Sequence, residues 1–183
     1  MTGFNLHRGL LAAAQRPPQG HWSDVVDRAR RLLIVERIND QENLGTLFRS
    51  AAALGMDALL LSPDSCDPLY RRTVRVSMGA VLDLPFRIVD TWPNVLSDLG
   101  AAGWHVVAFT PATTAISLPE CQSSLHGYER VAVMVGSEGD GLSAAALALA
   151  TQHVRIPMTS HTDSLNVAMA ASIGMYAVGG TGQ

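Results

Sequence analysis

The sequence predicts an α/β fold, a mostly parallel sheet with helices on both faces. Two observations predict it. Short apolar runs rich in β-branched residues alternate along the chain with segments whose apolar residues recur at helical spacing. Composition agrees: 48% of the 183 residues are hydrophobic and 16% are charged, enough apolar material for one buried core and too little charge for a disordered chain.

The elements follow in order. Residues 1–31 read as an arm, polar, broken at Pro17-Pro18 and ending in Arg28, Arg30 and Arg31, with a short helix expected from Trp22 to Arg31 capped by Ser23. Leu32 to Ile38 reads as a buried strand. Leu44 to Leu54 has helical spacing and stops at Gly55. Ala58 to Leu61 is a second strand, closed by Ser62-Pro63. Pro68 to Val76 is expected to be helical, with Arg71, Arg72 and Arg75 sharing much of one side. Strands are expected at Phe86 to Val89, Trp104 to Phe109, Arg130 to Val135 and Val154 to Ile156. Helices are expected at Asn94 to Ala102, Ser143 to Ala150 and Ser164 to Val178. Ser117 to Tyr128 reads as a polar loop.

The net charge of −3 means that any nucleic-acid contact must use a local patch. All thirteen basic residues are arginine, which suits bidentate phosphate contacts as well as it suits a GC-rich coding bias. Cys66 and Cys121 stand far apart with no Cys or His at ligand spacing, so no disulfide, no metal and a cytoplasmic protein are expected. Met1 to Gly9 is polar where a signal peptide is apolar, and no apolar run is long enough to span a bilayer.

Three clusters follow strands, where ligands sit in open α/β sheets. The first runs from Asn39 through Asn43 and Gly45 to Arg49. Its asparagines and glycine suit a turn, and Arg49 by itself suits a surface or salt-bridged position. The second is Gly136-Ser137-Glu138-Gly139-Asp140-Gly141-Leu142-Ser143. Three glycines between a strand and a helix suit a tight turn or a loop that approaches a ligand closely. The spacing is neither GxGxxG nor a Walker motif, and Glu138 would repel a phosphate. The third is Ile156-Pro157-Met158, a polar loop to Asp163, then Ser164-Leu165-Asn166. Ser164 suits a helix cap, and Asn166 needs a polar partner if buried.

Together, NxGxxxR, GSEGxGLS and IPM…SLNVAMA resemble the SpoU/TrmH family of SPOUT RNA ribose 2'-O-methyltransferases, over about residues 32–178. Arg75 to Pro85 (RVSMGAVLDLP) is similar to a further stretch of that family. The resemblance implies a catalytic domain over 32–183 with a C-terminal trefoil knot, a rare exception to unknotted chains. It implies an S-adenosylmethionine site lined by Thr110, Gly136, Ile156, Met158 and Leu165, and a homodimer with the active site at the subunit interface. Arg49 would be essential for catalysis, Asn43 and Glu138 would orient it and the ribose, and Ser164 and Asn166 would position substrate or support the cofactor loop. RNA, either rRNA or tRNA, would lie on Arg71, Arg72 and Arg75 or on Arg28, Arg30 and Arg31, and either group also suits a solvated helix face.

Many family members carry a separate N-terminal recognition domain. Here Phe4 to Arg16 resembles the linker that follows it, so the RNA target stays open. A non-catalytic RNA-binding module and a SPOUT base methyltransferase are the rival readings. A nucleotide-binding oxidoreductase would need a glycine fingerprint that Asn39 to Gly45 lacks.

Overall fold

The structure is a computed structural model and describes residues 14–16, 18–125, 127–159 and 164–179. Most of Phe4 to Arg16, and 160–163 in the loop of the third cluster, lie outside the described residues. The elements are α1 (Ser23–Val26), β1 (Arg31–Glu36), α2 (Gln41–Ala53), β2 (Ala58–Leu61), α3 (Arg71–Val76), α4 (Ala80–Asp83) and β3 (Phe86–Ile88). They continue with α5 (Val95–Ala101), β4 (His105–Phe109), β5 (Ile116–Ser117), α6 (Leu118–Leu125), β6 (Val131–Gly136), α7 (Ala144–Leu149), β7 (Gln152–Arg155) and α8 (Val167–Gly179).

The seven strands form one sheet in the order β3-β2-β1-β6-β4-β7-β5, and every pairing is parallel. The predicted α/β class with a parallel sheet is therefore the observed one. Central β1 and β6 are apolar along almost their whole length because both their faces are covered. Alternate residues feed two core layers. Leu33, Val35, Val133 and Val135 face α2, α4, α6 and α8, while Leu32, Ile34, Ala132 and Met134 face α1, α5 and α7.

Phe48 sits fully buried in the first layer, edge-on to Phe86 with ring centroids 5.4 Å apart. Phe48→Ala is expected to cost about 3–5 kcal/mol, the usual effect of an aromatic-sized cavity. Urea unfolding of the variant measures this.

Several local expectations need correction. Helix α2 begins at Gln41 rather than Leu44, because the Asp40 side chain accepts the N–H groups of Glu42 and Asn43, each at 2.8 Å. The turn-like residues 41–43 are thus its first turn. Helix α1 is only Ser23–Val26, and Ser23 does not cap it: Trp22 is the N-cap, without a side-chain bond. The chain turns out of it where Asp57 accepts the N–H groups of Arg30 and Arg31 at 2.7 and 2.8 Å. Val26 and Ala29 are buried in the second core layer. Ser117 to Tyr128 is not a plain loop. It holds the end of β5 and all of α6, which buries Leu118, Cys121 and Leu125 on one face while Glu120 accepts from the Ser117 N–H and hydroxyl. Asn166, not Ser164, caps α8: its Oδ1 accepts from Ala168 N–H at 2.9 Å and Met169 N–H at 3.4 Å.

Strand β7 lies between β4 and β5, strands that precede it in the chain. Phe109 and Ile116 both register with Val154, so residues 110–115 straddle β7. A direct link between parallel strands normally needs a dozen or more residues. This one is short because β5 starts level with the end of β4, so the link need not run back to the opposite end of the sheet.

Candidate functional site

A cavity of about 420 Å³ opens at the carboxyl ends of β4, β6 and β7, among Phe109 and Thr110, Val135 to Leu142, and Ile156, Met158, Ser164 and Leu165. Open parallel sheets bind ligands at this end, and the volume suits a small-molecule cofactor. Each element delivers its residues for a local reason. Thr110 closes β4 by donating its N–H to Val154 O at 3.0 Å. Strand β6 ends in Gly136, where the chain folds back on itself: Ser137 and Gly141 form an antiparallel bridge and Gly141 N–H reaches Ser137 O at 3.0 Å. A Cβ on Gly136 would lie 2.3 Å from Gly141 C and 2.4 Å from Leu142 N, so only glycine permits this closure. Gly141 itself sits at φ 66°.

The three clusters meet at the cavity mouth. The Asn166 side-chain amide donates to Asn43 Oδ1 at 2.9 Å and to Glu138 Oε1 at 2.7 Å. One asparagine therefore joins the first turn of α2 to the glycine loop while its oxygen caps α8. Thr110, Gly136, Ile156, Met158, Leu165, Ser164 and Glu138 all line the cavity. Asn43 and Asn166 stand beside it through Glu138.

Arg49 does not join them. It lies on α2 six positions after Asn43, about 240° around the helix. It is exposed, is not in the cavity wall, and makes no hydrogen bond or ion pair among the described residues.

Arg71, Arg72 and Arg75 border a second, open hollow with Glu42, Tyr70 and Val76. Arg72 is not a bare cation there. Its guanidinium is paired with the Glu42 carboxylate, the Nε bond measuring 3.0 Å, and this partner raises its pKa. Of the second arginine group, Arg31 is committed to structure. Its donors reach Val178 O at 3.2 Å and Glu129 O at 2.8 Å, tying β1 to the end of α8. Arg30 pairs at 3.5 Å with Glu129.

Both cysteines are free thiols. Burial raises the pKa of Cys66 and pushes the Cys121 thiol up to about 11, so neither is an activated nucleophile. Among the described residues, no group of His, Cys, Asp and Glu is arranged to hold a metal ion, and no helix is long and apolar enough to cross a membrane. Sequence reasoning missed Glu36 and Arg37, which lie directly behind the glycine loop. A charged pair closing an otherwise apolar strand was the available signal.

The model of the SpoU rRNA Methylase family matches residues 30–176. The chain belongs to that family. An uncharacterized tRNA/rRNA methyltransferase of Mycobacterium tuberculosis is 48% identical over 176 residues, spanning 96% of this chain and 61% of that protein. The 23S rRNA (guanosine(2553)-2'-O)-methyltransferase of Bacillus subtilis is 32% identical over 81% of this chain and 57% of its own length. The crystal structure of an AdoMet-bound rRNA methyltransferase from Sinorhizobium meliloti superposes with a TM-score of 0.79 at 27% identity, over 88% of this chain and 60% of that one. The chain thus spans about three fifths of the length of these relatives.

Proposed function

We propose that this chain holds S-adenosylmethionine in the cavity over β4, β6 and β7 and methylates a ribose 2'-hydroxyl of rRNA or tRNA, as a cytoplasmic homodimer. The observation that carries this reading is the Asn43–Asn166–Glu138 junction at the mouth of a glycine-loop cavity. The residues present fit the cofactor. The walls offer apolar Val135, Leu142, Leu147 and Ile156, and the loop offers the carboxylates of Glu138 and Asp140. Asp140 faces the Arg37 guanidinium at 3.7 Å, so it is Glu138, bonded to the neutral Asn166 amide, that favours a ligand bearing positive charge and disfavours a phosphate-bearing nucleotide. Thr110, Gly136, Ile156, Met158 and Leu165 would hold the cofactor. The resemblance to a 2'-O-methyltransferase at 32% identity supports the ribose as acceptor.

When bound, the cofactor supplies an electrophilic methyl group on a positively charged sulfur. The chain must then hold the acceptor oxygen in line and stabilise the charge that develops on it. Arg49 is suited to the second task. A guanidinium keeps its proton at any working pH, so it serves as a hydrogen-bond donor to an alkoxide rather than as a base. Arg49 is absent from its own chain's cavity wall, so it would serve the cavity of a second copy. Helix α8, which packs on α2, presents Met169, Ile173 and Tyr176 to solvent at 62%, 40% and 69% exposure, an apolar stripe suited to that copy. Asn43, Glu138 and Ser164 would orient the ribose, and Asn166 would hold two of those three in place. The straddle of β7 by residues 110–115 is the feature from which we infer the trefoil knot.

The test uses the full chain, isotope-labelled S-adenosylmethionine, and rRNA and tRNA from cells lacking the gene. Nucleoside mass spectrometry should find the label on ribose. Label on a base would overturn the 2'-oxygen assignment, and cofactor binding without any transfer would point to an RNA-binding module.

Arg71, Arg72 and Arg75 are proposed to contact RNA phosphates. Replacing all three with glutamine is expected to lower the log–log salt slope of RNA affinity by about 1 to 2 in magnitude, less than three free cations would give, because Arg72 is already paired with Glu42. An unchanged slope would remove them from the RNA surface.

A further inference from the structure

The glycine loop is held from behind by two residues that methyl transfer does not use. Glu36 ends β1 in register with Gly136 and is 2% exposed. Its carboxylate accepts from Trp92 Nε1 at 2.8 Å, and from the Ser143 N–H and the Ser143 hydroxyl, each at 2.7 Å. A buried carboxylate needs such donors, and two of the three belong to the residue that closes the loop and caps α7. Arg37 grips the loop two residues earlier, at Gly141. Its Nη2 donates to Gly141 O at 3.1 Å, and its Nη1 lies 3.7 Å from Asp140 Oδ2.

Arg37 holds this position against two costs. Its backbone sits at φ 55°, a left-handed conformation disfavoured for a residue with a Cβ. Its buried Nε has no hydrogen-bond partner among the described residues. Glycine would remove both costs, so neither backbone geometry nor packing explains an arginine here. Its contacts to Asp140 and Gly141, both in the cavity wall, do.

We propose that Glu36 and Arg37 are positioning residues that clamp the 136–143 loop at Ser143 and at Gly141, setting its shape before S-adenosylmethionine arrives. The clamp rests on the reading of this cavity as the cofactor site.

The test compares the full chain with Arg37→Gly, Arg37→Lys and Glu36→Gln. The measurements are amide hydrogen exchange at 137–142 without ligand, the thermal midpoint, and calorimetric titration with S-adenosylmethionine. Arg37→Gly should keep or raise the midpoint, because the strain is released. In the same variant, loop exchange should accelerate and cofactor affinity should weaken, each by about tenfold or more. Arg37→Lys keeps a cation opposite Asp140 but loses the planar fork, and should fall between. Glu36→Gln can turn an N–H toward the Ser143 N–H, and should loosen the same loop from its other end.

Wild-type exchange and affinity in Arg37→Gly would overturn the clamp. So would a midpoint that falls while exchange accelerates across the whole sheet, since that is loss of fold and not of loop position. If the unaltered chain does not bind S-adenosylmethionine, the cofactor reading fails on its own, and the exchange comparison still decides whether Arg37 fixes the loop.

Discussion

Arg49→Ala is expected to lower methyl transfer by about a thousandfold or more, while the affinity for S-adenosylmethionine measured by calorimetry stays within a few-fold. The asymmetry follows from where the side chain is. Arg49 is exposed on α2, lies outside the cavity wall and has no partner among the described residues, so removing it takes nothing from a cofactor bound in that chain. In the proposed role, what it removes is a positive charge that a second copy would bring to the acceptor oxygen, and that charge would matter only as the oxygen gains charge. Arg49→Lys should fail as well if the planar fork is what meets the ribose. Equal loss of affinity and turnover in Arg49→Ala would defeat this role, and near-normal turnover in Arg49→Lys would reduce it to a point charge.

Gly136→Ala should remove detectable cofactor binding, a loss of about a hundredfold or more in affinity, together with all turnover. The added methyl would stand 2.4 Å from Gly141 O and Leu142 N and 2.3 Å from Gly141 C. These are backbone atoms, with no flexible side chain to yield, so the loop itself must move. Overpacking of this kind costs about 1–3 kcal/mol of stability, which the sheet can absorb. Gly100→Ala is the control, because no atom beyond its chain neighbours and its own helix backbone lies within 4 Å of its added methyl. Calorimetry and thermal unfolding on the three proteins separate loop displacement from unfolding. Wild-type affinity in Gly136→Ala would show that the tight closure has no part in binding.

The alternation of strands and helices was legible because both periodicities are local properties of the chain. Boundaries were less so, and each miss has a chemical cause. Asn39 to Asn43 reads as a turn until one notices that Asp40 can cap the residues after it. Ser164 and Asn166 are both capping residues, and only the backbone decides which one caps. Helix α6 hid in a polar stretch, although Leu118, Cys121 and Leu125 have helical spacing. Strand order was not legible, since β7 pairs with strands more than 30 residues earlier in the chain.

For the site, residue types and order were visible, and Thr110, Gly136, Ile156, Met158 and Leu165 line one cavity, whereas Arg49 does not. The link through Asn166 was not, because it joins residues 123 and 28 positions apart. Nor was the commitment of Arg31 and Arg72 to partners within the chain. A charged residue in a sequence does not reveal whether its counter-ion is RNA or a neighbour.

The place of β7 in the sheet bears on how the molecule is made. A ribosome delivers β4 and β5 before β7 exists, so their facing edges wait with unpaired N–H and carbonyl groups. Such edges are templates for foreign strands, and they close only when the last quarter of the chain inserts between them. Biogenesis, rather than the finished protein, is therefore where this architecture is most exposed to aggregation. The long-range insertion is also expected to slow its folding relative to domains of similar size.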